Sequence, residues 1–185
     1  MNTAQLREAI REHAYLEGDF VLRSGRRSQY YLDKYRFETR PELLEPIGAR
    51  LADLVAEHEP DTERLAGPEL GAVALAAAAS LASGLPFLIV RKEAKGYGTD
   101  NRLEGAFEPG ERVCLVEDVV TSGGAAVTAI EALRRAGLEC RTAVCVVDRE
   151  EGGVDELARH GVRLRPLFRA GELLENAKSA AKPHG

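Results

Sequence analysis

Residues 113–126, Val-Cys-Leu-Val-Glu-Asp-Val-Val-Thr-Ser-Gly-Gly-Ala-Ala, constrain this chain more than any other stretch. Val113 to Val116 is an apolar run bounded by charge, the pattern of a strand buried on both faces, as in a parallel sheet. Two adjacent carboxylates follow, Glu117 and Asp118. Thr121-Ser-Gly-Gly124 then opens a helical run from Ala125 to Ala136, with Val127, Ile130 and Leu133 at turn spacing.

That order dictates a chemistry. A Thr/Ser/Gly turn at a helix N-terminus gathers free backbone N–H groups and partial positive charge, so it suits a phosphate. Glycine lets the backbone approach an anion with no Cβ in the way. The hydroxyls of Thr121 and Ser122 add donors. Glu117 and Asp118 would repel a bare phosphate, so they must bind another part of the same ligand. Sugar hydroxyls, or a metal bridging to a second phosphate, would serve. The ligand implied is a phosphorylated sugar. No Gly-Lys-Ser/Thr ends the turn, which excludes a Walker A loop, and no GxGxxG is present, which excludes a dinucleotide fingerprint.

Composition bounds the partners. The 185 residues carry a formal net charge of −5, which disfavours a non-specific nucleic-acid binder or a membrane-surface protein. An acidic chain that binds a polyphosphate must concentrate its Lys and Arg locally. Cys114, Cys140 and Cys145 lie in or beside predicted strands without metal spacing, and read as buried inert thiols in a reducing cytoplasm. No apolar signal core or membrane span is expected. Alternating strands and helices predict an α/β fold with a mainly parallel sheet flanked by helices.

Elsewhere, Thr3 to Leu16 reads as a helix. Asp19 to Asp33 reads as a hairpin turning at Ser24-Gly25-Arg26, crowded with Arg23, Arg26, Arg27, Tyr30 and Tyr31. Pro41 to His58 reads as an amphipathic helix with Leu44, Ile47, Leu51, Leu54 and Val55 as its stripe. A short strand within Glu63–Gly71 meets a helix over 72–82, and Pro86 to Val90 is a buried strand. The strand Glu139–Asp148, the helix Val154–His160, the strand Val162–Phe168 and a closing helix Gly171–Ala177 complete the order.

The central stretch resembles the phosphoribosyl pyrophosphate (PRPP) motif of the type I phosphoribosyltransferases: an apolar strand, two acids, two apolar residues, Thr, a small residue and Gly. The resemblance implies that Thr121, Ser122, Gly123, Gly124 and Ala125 hold the ribose 5-phosphate. Glu117 and Asp118 would take the ribose hydroxyls, and Val119 and Val120 complete the PRPP segment. Ser24-Gly25-Arg26-x-Ser28-x-Tyr30 is similar to the N-terminal hood of the orotate branch of that family. Arg23 stands where the branch has Lys and is implied to touch PRPP and orotate. Tyr31, Leu32 and Thr121 are implied to contact orotate. Glu69, Leu70 and Gly71 resemble the pyrophosphate loop, although Gly71 stands where the family commonly has Lys. Arg91-Lys92-x-x-Lys95-x-Tyr97-Gly resembles the branch's catalytic lid, with Tyr97 in place of His. Arg149, in Asp-Arg-x-Glu, would pair with the orotate carboxylate.

By resemblance the chain forms one domain over 1–185: a helix and hood hairpin over 1–40, an α/β core over 41–176 and a flexible tail over 177–185. Its implied activity is transfer of phosphoribosyl from PRPP to orotate, giving orotidine 5′-phosphate and pyrophosphate, with Lys95, Asp118 and Glu117 catalytic. Mg²⁺ would be held mainly through PRPP and water, with no dedicated protein ligands. A cytoplasmic homodimer with shared active sites is implied, without nucleic-acid or membrane partners. Two alternatives stay open: a phosphoribosyltransferase for another base, which Arg149 opposes, and a non-enzymatic PRPP sensor.

Overall fold

The computed structural model describes residues 1–21, 25, 27–93 and 102–174. In chain order the elements begin with α1 (Thr3–Ala14), β1 (Tyr15–Val21), β2 (Arg27–Leu32), α2 (Tyr35–Glu38) and α3 (Pro41–His58). Next come β3 (Arg64–Pro68), α4 (Gly71–Ser83), β4 (Phe87–Val90), β5 (Leu103–Glu104) and β6 (Arg112–Val120). The order closes with α5 (Gly124–Arg135), β7 (Glu139–Asp148), α6 (Gly153–Arg159) and β8 (Arg163–Arg169).

Six strands form one sheet in the order β5-β4-β3-β6-β7-β8, parallel throughout except for β5. Crossover helices cover both faces, as parallel pairing demands. One apolar cluster joins Leu6, Phe37, Ile47, Leu51, Leu75, Cys114 and Val144 on the side of α1, α3 and α4. The other joins Leu88, Leu115, Ile130, Leu133, Cys145 and Leu157 on the side of α5 and α6. The central strands are therefore buried on both faces, as their unbroken apolar runs predict. β8 forms one margin of the sheet and carries Pro166 opposite Cys145.

The structure differs from the sequence reading in three places. The expected strand Val113–Val116 runs on through both acids to Val120, because its ladder with β7 continues from Glu117↔Cys145 to Val120↔Asp148. The first helix stops at Ala14, not Leu16, because Tyr15 and Leu16 pair with Leu32 and Tyr31 and begin the hairpin earlier than Asp19. On α3 the stripe includes Leu43, fully buried with Ile47, Leu51 and Val55, whereas Leu44 and Leu54 pack at its margins. The closing helix is seen over residues 170–174, and the remainder of that expectation lies outside the described residues, as does the tail.

Close packing positions the helices. A Cβ on Gly48 of α3 would fall 2.5 Å from the Ala78 Cβ of α4, so a glycine is required where the two helices meet. Among the described residues, no helix is long and apolar enough to cross a membrane.

Candidate active site

β6 ends at Val120, and the chain turns through Thr121, Ser122 and Gly123 into α5. Gly123 is the N-cap with φ +86°, and no side chain caps the helix. The first-turn amides of Gly124, Ala125 and Ala126 have no intrahelical acceptor, so they are available to an anion. Thr121, Ser122, Gly124 and Ala125 are exposed around them.

The two glycines do different jobs. A Cβ on Gly124 would meet nothing within 4 Å, so that side of the residue is open space. A Cβ on Gly123 would lie 2.9 Å from Leu157 Cδ1 and 3.2 Å from Gly153 Cα, against α6. The missing Cβ of Gly123 thus serves the backbone turn and the α6 contact. Val120 is buried in the core and Val119 half-buried against it, so only their backbones can serve a ligand.

The acidic pair sits inside the last rungs of β6, and both carboxylates are buried. Asp118 Oδ1 accepts from the Val119 N–H at 2.5 Å, and Oδ2 accepts from Lys34 Nζ. Burial alone would lower the Lys34 ammonium, but the hydrogen bond and charge of Asp118 outweigh it and raise its pKa. Glu38, on α2, is also buried, and its Oε1 has no hydrogen-bond partner. Burial, then the Asp118 charge, push its carboxyl up to about 8. The same two causes push Glu117 up to about 8.

The turn from β3 into α4 brings the pyrophosphate-loop residues beside this cluster. The Glu69–Leu70 peptide is cis, and Leu70 is exposed. A Cβ on Gly71 would lie 1.8 Å from Asp118 Oδ2 and 2.7 Å from Lys34 Nζ. The Glu69 carboxylate faces the next segment, where its Oε1 accepts from the Lys92 N–H at 2.7 Å. Arg91 faces its own hairpin: its guanidinium meets Glu104 at 3.4 Å, and its carbonyl accepts from Arg102 Nε at 2.9 Å. Lys92 is exposed at the root of the expected lid. Arg23, Lys95 and Tyr97 lie outside the described residues.

The hood meets the sheet at Arg149. The Arg149 N–H donates to the Val120 carbonyl at 2.8 Å, which seats this residue beside the cradle. Asp148 Oδ1 accepts from the Glu150 N–H at 2.9 Å and fixes the turn. The Arg149 side chain is 8% exposed, contacts Glu151 at 3.2 Å, and leaves its buried Nε without a partner. Its guanidinium carbon lies 4.8 Å from the Tyr30 ring centroid, and Tyr30 stacks on Tyr15 at 5.6 Å. Leu32 lines the same small cleft. Tyr31 points the other way and packs on Phe20 at 5.6 Å, so the aromatic beside Arg149 is Tyr30.

Sequence reasoning missed Tyr30, Lys34 and Glu38 as site residues. Strand alternation offered a signal for Tyr30, since neighbours on β2 face opposite sides. Nothing local marks Lys34 or Glu38.

Comparison with known proteins agrees with this geometry. Residues 40–162 match the phosphoribosyl transferase domain. The chain is 54% identical to an orotate phosphoribosyltransferase of Methanocella arvoryzae over 157 residues, covering 85% of this chain and 88% of that protein. It superposes on the crystal structure of orotate phosphoribosyltransferase from Aeropyrum pernix with a TM-score of 0.82 and 36% identity, covering 97% of this chain and 99% of that one. It also resembles Mycobacterium tuberculosis orotate phosphoribosyltransferase solved in complex with PRPP, with a TM-score of 0.77 and 31% identity, covering 92% and 98% of the two chains. With its cradle, acid pair and arginine set around one sheet edge, the chain belongs to the phosphoribosyltransferase family, in its orotate branch.

Proposed function

We infer that the chain transfers the 5-phosphoribosyl group from PRPP to orotate, and that its residues divide the work by their places at the carboxyl ends of β3, β6 and β7. The observation that carries the substrate choice is Arg149: a nearly buried guanidinium whose Nε lacks a partner, beside the phosphate cradle. Such a donor suits the carboxylate of orotate and has no counterpart on uracil or a purine.

In this reading the amides of Gly124 and Ala125, with the hydroxyls of Thr121 and Ser122, hold the 5-phosphate. Glu117 and Asp118 face the ribose hydroxyls. Orotate N1 attacks the anomeric carbon and gives up its proton to solvent or the departing pyrophosphate; the bond to pyrophosphate breaks, and its electron pair leaves with pyrophosphate. Positive charge builds on the ribose, where Asp118 stabilises it. Lys92 and Lys95 receive the leaving pyrophosphate.

Magnesium fits this donor set. Hard carboxylate oxygens suit it, and among the described residues no cluster of three or more His, Cys, Asp or Glu side chains converges to cage a metal. In this reading magnesium would be held mainly through PRPP and water, and would offset charge on the leaving group. A homodimer in which one subunit's Lys95 serves the other's Arg149 belongs to the same reading.

The test is a panel of orotate, uracil, hypoxanthine and adenine, each with PRPP and Mg²⁺, following pyrophosphate release and orotate absorbance. Turnover confined to orotate is expected. Turnover of uracil or a purine at equal rates would overturn the assignment of Arg149 to substrate choice.

A further inference from the structure

Lys34 belongs to no motif, yet it reaches the centre of the site. It stands at the start of α2, directly after the hood hairpin, and its Nζ hydrogen-bonds Asp118 Oδ2. Its side chain is 32% exposed while that of Asp118 is 7%, so the lysine forms the wall between a buried carboxylate and solvent. Gly71 completes the arrangement from a third element. Any Cβ there would collide with Asp118 Oδ2 and crowd Lys34 Nζ, so the place a side chain would fill at 71 is already occupied by this ion pair.

We propose that Lys34 is a positioning residue for PRPP binding, fixing the Asp118 carboxylate toward the ribose and offsetting its repulsion of the incoming polyphosphate. This rests on the reading of Asp118 as a ribose ligand given above.

The physical argument has two parts. A carboxylate that must accept from sugar hydroxyls needs a fixed orientation, and Lys34 with the Val119 N–H holds both of its oxygens. The polyphosphate of PRPP would also meet Asp118 in a poorly hydrated setting, where an uncompensated carboxylate repels strongly. Lys34, Asp118, Glu38 and Glu117 meet at this point, with Asp33 and Tyr35 beside them. Burial holds Glu38 and Glu117 toward their neutral forms, and the Lys34–Asp118 ion pair stands beside them. Gly71 fits the same logic, since a bulkier residue would force Asp118 out of its place.

The experiment compares wild type with Lys34→Gln, Lys34→Arg, Asp118→Asn and the double variant Lys34→Gln/Asp118→Asn. PRPP affinity is measured by calorimetry without orotate, alongside KM and kcat. Lys34→Gln should weaken PRPP binding by roughly ten- to hundred-fold, with the KM for orotate changed far less. Lys34→Arg should recover much of the loss. If Lys34 acts through Asp118, the double variant should bind PRPP no more weakly than Asp118→Asn alone. The double variant also removes the risk of an unpaired buried carboxylate, so it reports even if Lys34→Gln is unstable. Full PRPP affinity in folded Lys34→Gln, or strictly additive losses in the double variant, would overturn the proposal. Wild-type protein that fails to turn over orotate would instead refute the functional reading.

Discussion

The guanidinium carbon of Arg149 sits 4.8 Å from the centre of the Tyr30 ring, with Tyr15 stacked behind it. A cation held over an aromatic face keeps one orientation, and here Nε is left for a planar anion beside the Glu151 contact. Arg149→Ala should therefore cripple orotate use and spare PRPP affinity, with a loss of about 1.5–3 kcal/mol in orotate binding. Tyr30→Leu should raise the KM for orotate by a smaller factor, because it loosens Arg149 without removing it, while Tyr31→Leu should do less. Steady-state kinetics with each substrate varied separately checks all three. Equal losses for PRPP and orotate would make Arg149 a structural residue.

The two cradle glycines should separate binding from folding. Gly124→Val places its side chain in open space at the mouth of the turn, so it should abolish PRPP-induced thermal stabilisation and leave the unliganded melting temperature close to wild type. Gly123→Val should lower the melting temperature itself, because φ is +86° there and a Cβ meets Leu157 at 2.9 Å. Scanning calorimetry with and without PRPP distinguishes them. An undiminished PRPP shift in Gly124→Val would remove this turn from the site.

Stability should fall as pH rises through the neutral range. Glu38 and Glu117 have carboxyls pushed to about 8 from an ordinary 4.5, so the folded chain keeps protons that the unfolded chain releases. The stabilising difference is fully present below about pH 4.5 and is lost progressively up to about pH 8. Glu38→Gln should match wild type near pH 4.5 and exceed it at pH 8.5, by roughly 1–3 kcal/mol. Urea melts at the two pH values decide the matter. A constant difference across the range would mean that Glu38 does not titrate in this window.

Sharing of sites between subunits can be tested by complementation. Lys95→Ala and Arg149→Ala are each expected to be inactive alone. After subunit exchange, each mixed dimer would contain one site with both lesions and one with neither. Random exchange at equal amounts makes about half of the dimers mixed, so activity should return to about a quarter of wild type for a twofold-symmetric dimer. No recovery, with exchange verified by mass spectrometry, would refute shared sites.

Sequence reasoning reached the parts of this molecule governed by local pattern. The strand Glu139–Asp148 and the helix Pro41–His58 have the bounds that their apolar runs and the proline start predict. The three cysteines are buried, and desolvation raises the thiols of Cys114, Cys140 and Cys145 above their ordinary value, as inert core residues require. Patterns failed where tertiary contact decides. Tyr15 has the look of a helix end but is taken by Leu32 across the hairpin. β5 is two residues long, too short for any periodicity. Lys34 and Asp118 are 84 positions apart, and nothing beside either residue signals the other. Which of Tyr30 and Tyr31 lies by Arg149 turns on strand parity alone, and it is Tyr30.

The margin of the sheet at β8 has a bearing on how copies of this chain can associate. Pro166 removes a backbone donor from that strand, and exposed Arg169 adds charge to it. The opposite margin, β5, offers two residues in the described chain. Neither side is a template for strand addition, so continuous sheets running from one molecule into the next are disfavoured. Any association between copies would then rest on helices, loops or the hood.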